Sequence, residues 1–238
     1  MKRLIITISY IIISSRIIYG QNHETENDLI NSLIPEGWIL LKYEKGDLNK
    51  DGFEDLAIVI HGTDPSKIVV NDGFGYDTLD TNPRTLLIFF YNNKNSKYEL
   101  IKNEKGIIPS HSSPTMDDPF SGIEIKKGIL EINYYIWFNA GSWYVTNETY
   151  KFRFQNNDFF LIGIEYENMH RGTMESKEIS VNFSTRKMLV TEFSAPTYDE
   201  NDDEHIEKKE TWFNFTLDNL YKFNEIEPFN IRVLNEYL

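Results

Sequence analysis

The spacing of apolar residues along the chain changes near residue 35 from a helical to a strand-like pattern. Before that point four apolar residues recur at intervals of one, three and four, namely Leu29, Ile30, Leu33 and Ile34. Thr25 followed three residues later by Asp28 is typical of a helix start. Pro35 and Gly37 are expected to end this helix.

Beyond residue 37 the pattern is that of β-strands. Continuous apolar runs predict strands buried on both faces at 38–43, 56–60 and 85–91. Alternating apolar and polar residues predict strands with one buried face at 130–138, 150–154 and 160–166, followed by shorter strands at 179–183 and 188–193. Polar breaks typical of hairpin turns separate the runs at 93–95, 126–128, 156–158 and 185–187.

These patterns predict a mainly β fold, an antiparallel meander or sandwich-like sheet of about ten strands with one N-terminal helix. A short C-terminal helix is expected around 217–223, with Thr216 as its cap. Three polar segments are predicted to be surface loops: 71–83, 110–122 and 198–205. Residues 21–238 are predicted to form one domain, divided into a helix and loop-bearing hairpin at 25–92, a β-meander at 96–193, and an acidic loop with a C-terminal extension at 194–238.

The first twenty residues resemble a secretory signal peptide. Lys2 and Arg3 precede an uncharged, largely apolar run at 4–15, which is short for a membrane-spanning helix. Cleavage after Gly20 would place the remaining chain in the periplasm or outside the cell, with no stable membrane insertion. The alternative is an uncleaved anchor.

Composition narrows the classes of function. The chain has no cysteine, which excludes disulfides, thiolate metal sites and cysteine nucleophiles. Its net charge of −13 becomes −16 without residues 1–20, because that segment carries Lys2, Arg3 and Arg16 and no acid. A chain this acidic is poorly suited to nucleic acid or anionic membranes and better suited to cations and basic partners.

The candidate chemistry lies in an oxygen-rich loop at 47–55, between two apolar runs. The predicted ligands of a Ca²⁺ ion are the side chains of Asp47, Asn49, Asp51 and Asp55 and the backbone carbonyl of Phe53. Gly52, at the sixth position of the loop, allows the sharp turn that such a loop needs. The alternative is an Asp/Asn/Gly hairpin that has the same spacing without binding metal.

This loop does not continue as an EF-hand does. Ile58 occupies the twelfth position, where an EF-hand carries a bidentate glutamate on a helix. The nine-residue pattern instead resembles the calcium loops of FG-GAP and VCBS repeats, as in integrin alpha-chain propellers, which implies a structural ion at a strand-to-strand connection. Because the pattern occurs once in the chain, a propeller is not expected.

Several further motifs together resemble an uncharacterised family of exported bacterial proteins. They are Ile34-Pro35-Glu36-Gly37-Trp38, Gly46-Asp47-Leu48-Asn49-Lys50-Asp51-Gly52, Asn82-Pro83-Arg84, Asp118-Pro119-Phe120, Gly141-Ser142-Trp143 and Tyr150-Lys151-Phe152-Arg153-Phe154-Gln155. The resemblance spans most of residues 28–193 and implies no activity. The chain departs from that family after Trp143, where Tyr144-Val145-Thr146 replaces a basic residue and an aromatic one.

No recognisable catalytic motif occurs in the chain, and its five histidines lack metal-ligand spacing. Glu131, Glu148 and Glu165 are candidates for the paired carboxylates of a glycoside hydrolase. The acidic run at 199–204 is a candidate second cation site or a solvated loop.

An aromatic cluster at 134–144 is either core or, through Tyr135, Trp137 and Trp143, a platform for sugar rings or a peptide. The leading interpretation of the whole chain is an exported, calcium-stabilised β protein that binds an unknown protein or glycan partner without catalysis. The alternatives are a hydrolase of envelope or dietary polymers and an acidic inhibitor of a basic protein.

Overall fold

The computed structural model describes residues 26–230. It is mainly β, with 54% strand and antiparallel sheets, as the alternating patterns predicted. The first elements are α1 (26–32), β1 (Trp38–Gly46), β2 (Asp55–Gly62), β3 (Ile68–Val70), β4 (Thr78–Asp80), β5 (Arg84–Asn92) and β6 (Lys97–Lys105). The later ones are β7 (Phe120–Lys126), β8 (Ile129–Trp137), β9 (Tyr144–Gln155), β10 (Asp158–His170), β11 (Ser176–Asn182), β12 (Lys187–Phe193), β13 (Thr197–Tyr198), β14 (Glu204–His205) and β15 (Lys208–Asn214).

Two large sheets and two short hairpins account for all of these strands. The smaller large sheet has the order β1-β2-β5-β6, and the larger has the order β15-β12-β11-β10-β9-β8-β7. The short hairpins are β3-β4 and β13-β14. Both large sheets are antiparallel meanders, interrupted in the chain by one short hairpin each.

The central strands of the four-stranded sheet, β2 and β5, are largely buried on both faces because they lie between α1 and the larger sheet. Ala57 and Val59 of β2 belong to the core shared with the seven-stranded sheet. Ile58 and Ile60, which alternate with them, pack in a second cluster with Ile30 of α1. All eight residues of β2 are buried, and residues 56–60 are all apolar, as expected of a strand covered on both sides.

Left-handed backbone conformations close two of the hairpins in the larger sheet. Lys127 and Gly128, between β7 and β8, have φ values of 53° and 74°. Asn156 and Asn157, between β9 and β10, have φ values of 51° and 60°. Two consecutive positive φ values match the right-handed twist of the flanking strands, so Gly and Asn are favoured at these turns.

The segments into which the domain was predicted to divide differ from the sheets in the structure. β6 pairs with β5 in the smaller sheet, so the seven-stranded meander begins at β7 rather than at residue 96. The predicted extension after residue 194 contains β15, which pairs with β12 and forms one edge of that meander. The charged sequence of β15 lacks a long apolar pattern because an edge strand can keep most of its residues exposed.

The segment expected to form the short C-terminal helix is extended over most of its length. A 3-10 helix at Phe223–Glu225 begins where the predicted helix was expected to end. The preceding residues are held against β10 instead, since the Leu161 amide donates to the Tyr221 carbonyl at 2.8 Å and Lys222 forms a bridge with Phe160. Thr25, the predicted start of the N-terminal helix, and the predicted signal peptide at 1–20 lie outside the described residues.

Candidate functional site

The oxygen-rich loop is the connection of the β1–β2 hairpin. Gly46 and Asp55 are the last residues to pair across the two strands, so the residues between them form the loop. Lys50 and Gly52 adopt left-handed φ values of 65° and 89°, which bend the loop back on itself. A Cβ at Gly46 would lie 2.4 Å from Cγ2 of Ile125, so glycine lets β7 approach the base of the loop.

Three of the predicted ligands converge at the exposed tip of this loop. Asp47 Oδ1 and Asn49 Oδ1 both accept from the Asp51 amide, at 3.1 and 2.9 Å. Asp47 Oδ2 accepts from the Gly52 amide at 3.0 Å, and Asp51 Oδ2 accepts from Asn49 Nδ2 at 3.0 Å. Within residues 26–230 no salt bridge joins a lysine or arginine to Asp47 or Asp51, although Lys50 and Lys127 line the same small hollow as Asp47. The two carboxylates are therefore held by backbone and amide donors rather than by a direct ion pair.

Asp55 has a different role from the other loop acids. Its side chain is fully buried, and Oδ2 accepts from the amides of Leu48 and Asn49 at 2.9 and 3.2 Å. Oδ1 accepts from the Tyr91 amide of β5 at 3.1 Å. Burial raises the pKa of Asp55, and the three amide donors, which lower it, do not fully offset that effect. Asp55 thus anchors the loop to β5.

The fifth predicted ligand, Phe53, places its side chain outside the turn. Its ring lies 5.8 Å from the ring of Tyr91, and its amide donates to Asp51 Oδ1 at 2.9 Å. Among residues 26–230, no three His, Cys, Asp or Glu side chains are grouped as a metal centre. A cation at this loop would therefore depend on the Asn49 amide oxygen and the Phe53 carbonyl as well as on carboxylates. Such neutral oxygens are among those Ca²⁺ accepts.

The structure also brings together two motifs of the family resemblance that had no predicted role. Arg84, which is buried, donates from Nη1 and Nη2 to Asp118 Oδ1 and Oδ2 at 2.6 and 2.5 Å. Nη1 also donates to the Pro109 carbonyl at 3.0 Å. Burial would raise the pKa of Asp118, but the Arg84 guanidinium outweighs it and the pKa is lowered. This ion pair holds the predicted loop at 110–122 to the start of β5.

The register of the larger sheet creates a feature that no single strand predicts. It aligns polar side chains in one row across five strands, one pleat beyond the apolar core. In order across the sheet, the row contains Thr146, Asn168, Lys177, Glu192 and Lys209. This row forms the floor of an open groove of about 840 Å³. Sequence analysis missed these residues because alternation within a strand does not reveal which residues of other strands lie opposite.

The aromatic cluster is divided between the core and this groove. Tyr134 is buried, whereas Trp143 and Tyr144 are 66% and 50% exposed. The Tyr144 ring lies edge-on to His170 at 5.0 Å between centroids, at the end of the groove. Of the residues expected to point outward, Tyr135 and Trp143 are exposed. Trp137 is partly covered, with the Arg171 guanidinium 5.1 Å above its ring.

The three glutamates proposed as hydrolase carboxylates do not meet. Glu131 and Glu165 flank Lys151 on one face of the sheet, and Glu165 lies 2.7 Å from its ammonium group. Glu148 projects from the opposite face, where it is 5% exposed and opposite Tyr134 and Tyr166. Burial raises the pKa of Glu148, partly offset by a hydrogen bond from Tyr150. The sheet itself therefore separates Glu148 from the other two carboxylates.

The remaining candidates are the acidic run on the surface and a buried histidine. The acidic run at 199–204 connects β13 and β14, where Asp199 Oδ1 accepts from the Asn201 and Asp203 amides at 2.8 and 3.1 Å. His61 is buried, with Nε2 3.1 Å from Asp80 Oδ2. Neither arrangement gathers further ionisable groups for catalysis within the described residues.

No protein-family model, curated protein or solved structure matches this chain. The resemblance to a family of exported proteins therefore stays a prediction. Within residues 26–230, no helix is long and apolar enough to cross a membrane.

Proposed function

We propose that this is an exported β protein that acts by binding, and that its Asp47–Asp55 loop holds a structural Ca²⁺ ion. The observation that supports the ion is the convergence of Asp47 Oδ1 and Asn49 Oδ1 on one amide, beside Asp51, at the exposed tip of the turn. Asp47, Asn49 and Asp51 would hold the ion, together with the Phe53 carbonyl. Asp55, which was also predicted as a ligand, would hold the loop to β5 instead, because it is buried and accepts from three amides. The ion would supply positive charge to the Asp47 and Asp51 carboxylates.

The ion's proposed role is to stabilise the hairpin rather than to take part in a reaction. Asp55 already ties the loop to β5 through the Tyr91 amide. A cation at the tip would fix the outer half of the same loop, and its binding to the folded chain alone would raise stability. The fully buried β2 strand follows this loop directly, so an ordered loop would favour its correct pairing with β1.

Thermal unfolding in calcium and in a chelator tests the proposal. With a Kd of about 10⁻⁴ to 10⁻³ M, typical of extracellular modules, about 10 mM Ca²⁺ adds roughly 1.4–2.7 kcal/mol. For a domain of this size that raises Tm by roughly 3–10 °C. Asp47→Ala and Asp51→Ala should abolish the rise, whereas Glu200→Ala, in the acidic β13–β14 loop, should keep it. Equal midpoints in calcium and chelator for the unmutated protein would refute the calcium site.

A further inference from the structure

We propose that the groove on the larger sheet is a binding site for a neutral oligosaccharide. The inference rests on the proposed binding role and is independent of calcium. The groove and the Asp47–Asp55 loop lie at opposite ends of the sheet. Gly128, at the turn before β8, lies beside the Asp47 carbonyl, and Tyr144 lies at the other end of β9. Arg153 of β9 pairs with the first residue of β8, so it marks the end of β9 nearest the loop. Tyr144 is nine residues away on the same strand, which places it about 30 Å from that end.

The floor of the groove is rich in hydrogen-bonding groups. Asn168 Nδ2 donates to Thr146 Oγ1 at 2.7 Å, which orients the Asn168 amide. Lys209 Nζ lies 3.2 Å from Glu192 Oε2 across the neighbouring pair of strands. The Thr146–Asn168 pair is partly buried and loses little freedom when a ligand binds, whereas the Glu192 and Lys209 side chains are exposed. The groove therefore presents several donors and acceptors suited to a ligand that carries many hydroxyl groups.

The charges in the groove do not favour an ionic ligand. Two lysines and three glutamates line it: Lys177, Lys209, Glu175, Glu192 and Glu207. The signs alternate along the row of strand pairs, so no continuous field of one sign develops. The acidic chain as a whole, with its net charge of −13, further disfavours polyanions. An uncharged, polar ligand fits this distribution best.

Aromatic rings at one end of the groove supply the apolar contact that a sugar ring needs. Tyr144 is half exposed and held by its edge contact with His170. Trp143 does not line the groove, but it is 66% exposed beside it, with its ring centroid 6.2 Å from that of His170. The Tyr144 ring presents apolar surface to water beside the polar side chains of the groove. Sugars combine these two properties, since their hydroxyls bond to polar groups and their C–H faces pack on aromatic rings.

A peptide is a poorer fit for the same groove. Strands β9, β10, β11 and β12 are each paired on both sides, so most of the floor offers no free backbone groups for an added strand. The lining has few apolar side chains to receive those of a peptide, chiefly Phe193 and the tyrosines. Recognition must therefore come from polar side chains and rings. These features favour an oligosaccharide over a peptide.

Calorimetric titration of the full chain with cellohexaose, xylohexaose, mannohexaose and chitohexaose tests the inference. We expect at least one to bind with a Kd of roughly 10⁻⁵ to 10⁻³ M. Tyr144→Ala and Asn168→Ala should each weaken that binding about tenfold or more, because they remove a stacking ring and an oriented amide. The matched control is Trp212→Ala, which removes a ring that is 65% exposed on the strand β15, paired with Leu189 on the other face of the sheet. It should leave binding unchanged.

Three outcomes would overturn the assignment. The first is the absence of any heat of binding with all four sugars at about 5 mM. The second is sugar binding that is unchanged by both groove substitutions. The third is Tyr144-dependent binding of an uncharged hexapeptide when no sugar binds. The titrations are repeated in chelator below the melting midpoint. Sugar binding that persists there, with no calcium effect on Tm, would refute the ion alone, and a calcium effect without sugar binding would refute the groove alone.

Discussion

Replacing Asp55 tests whether one buried carboxylate anchors the loop to the smaller sheet. Asp55→Ala removes the acceptor for three amides, of which the Leu48 bond is buried and the Asn49 and Tyr91 bonds are partly buried. Each buried amide left without an acceptor lowers stability by about 1–3 kcal/mol. Part of this loss is recovered because the variant no longer has to bury a charged carboxylate on folding. We expect a net loss of about 3 kcal/mol, or roughly 6–12 °C in Tm. Asp55→Asn, which keeps one carbonyl oxygen, should lose about 1–2 kcal/mol.

The measurement is urea and thermal unfolding followed by far-ultraviolet circular dichroism in chelator, so that no ion contributes. Asp51→Ala is the matched control, because Asp51 is in the same loop but its hydrogen bonds are exposed. Its stability in chelator should stay within about 0.5 kcal/mol of the unmutated protein. A Tm for Asp55→Ala within about 2 °C of the unmutated protein would refute the anchoring role.

Other substitutions probe the remaining buried polar groups and one tight turn. Asp118→Asn leaves the buried Arg84 charge without its partner and should cost about 3 kcal/mol at neutral pH. The pKa of Asp118 is lowered from 3.8, so the stability that the Asp118 carboxylate contributes is lost as the pH falls below 3.8. Urea midpoints of the unmutated protein should show this decrease, and those of Asp118→Asn should not. Glu148 has a raised pKa, so the folded state binds its proton more tightly and stability falls as pH rises above 4.5. Glu148→Gln should remove that fall, and an unchanged pH profile would contradict this reasoning. Gly75→Ala should lose about 2 kcal/mol in thermal unfolding, because φ is +113° and the new Cβ would lie 2.0 Å from the Pro114 carbonyl oxygen.

Local patterns predicted most of the strands and turns correctly. The alternation through Ile132 and Tyr134 and the continuous apolar run of β2 both reflect which faces of a strand are buried, and that property repeats over two residues. The turns at Gly128 and Asn157 were also predicted from the sequence, because the tolerance of positive φ depends on the type of the single residue. β15 was missed because an exposed edge strand carries little of this signal.

In the candidate site, too, local spacing predicted some features and missed those that depend on distant residues. The spacing of Asp47, Asn49 and Asp51 lies within one turn, so the sequence alone predicted that their oxygens would gather at the tip. The spacing did not show that Asp55 would turn inward, because its partner amide at Tyr91 is 36 residues away. The pairing of Arg84 with Asp118 likewise joins residues 34 apart that carry no local signal for each other.

The sequence by itself therefore determined the fold class, the hairpin turns and the oxygen-rich loop, because each depends on residues close together in the chain. Only the tertiary structure decided that β6 joins the smaller sheet, that Glu148 is buried on the face opposite Glu131 and Glu165, and that five polar residues line one groove. Strand register and packing between sheets arise from contacts between distant segments. Their energies depend on which faces meet, which periodicity alone does not specify.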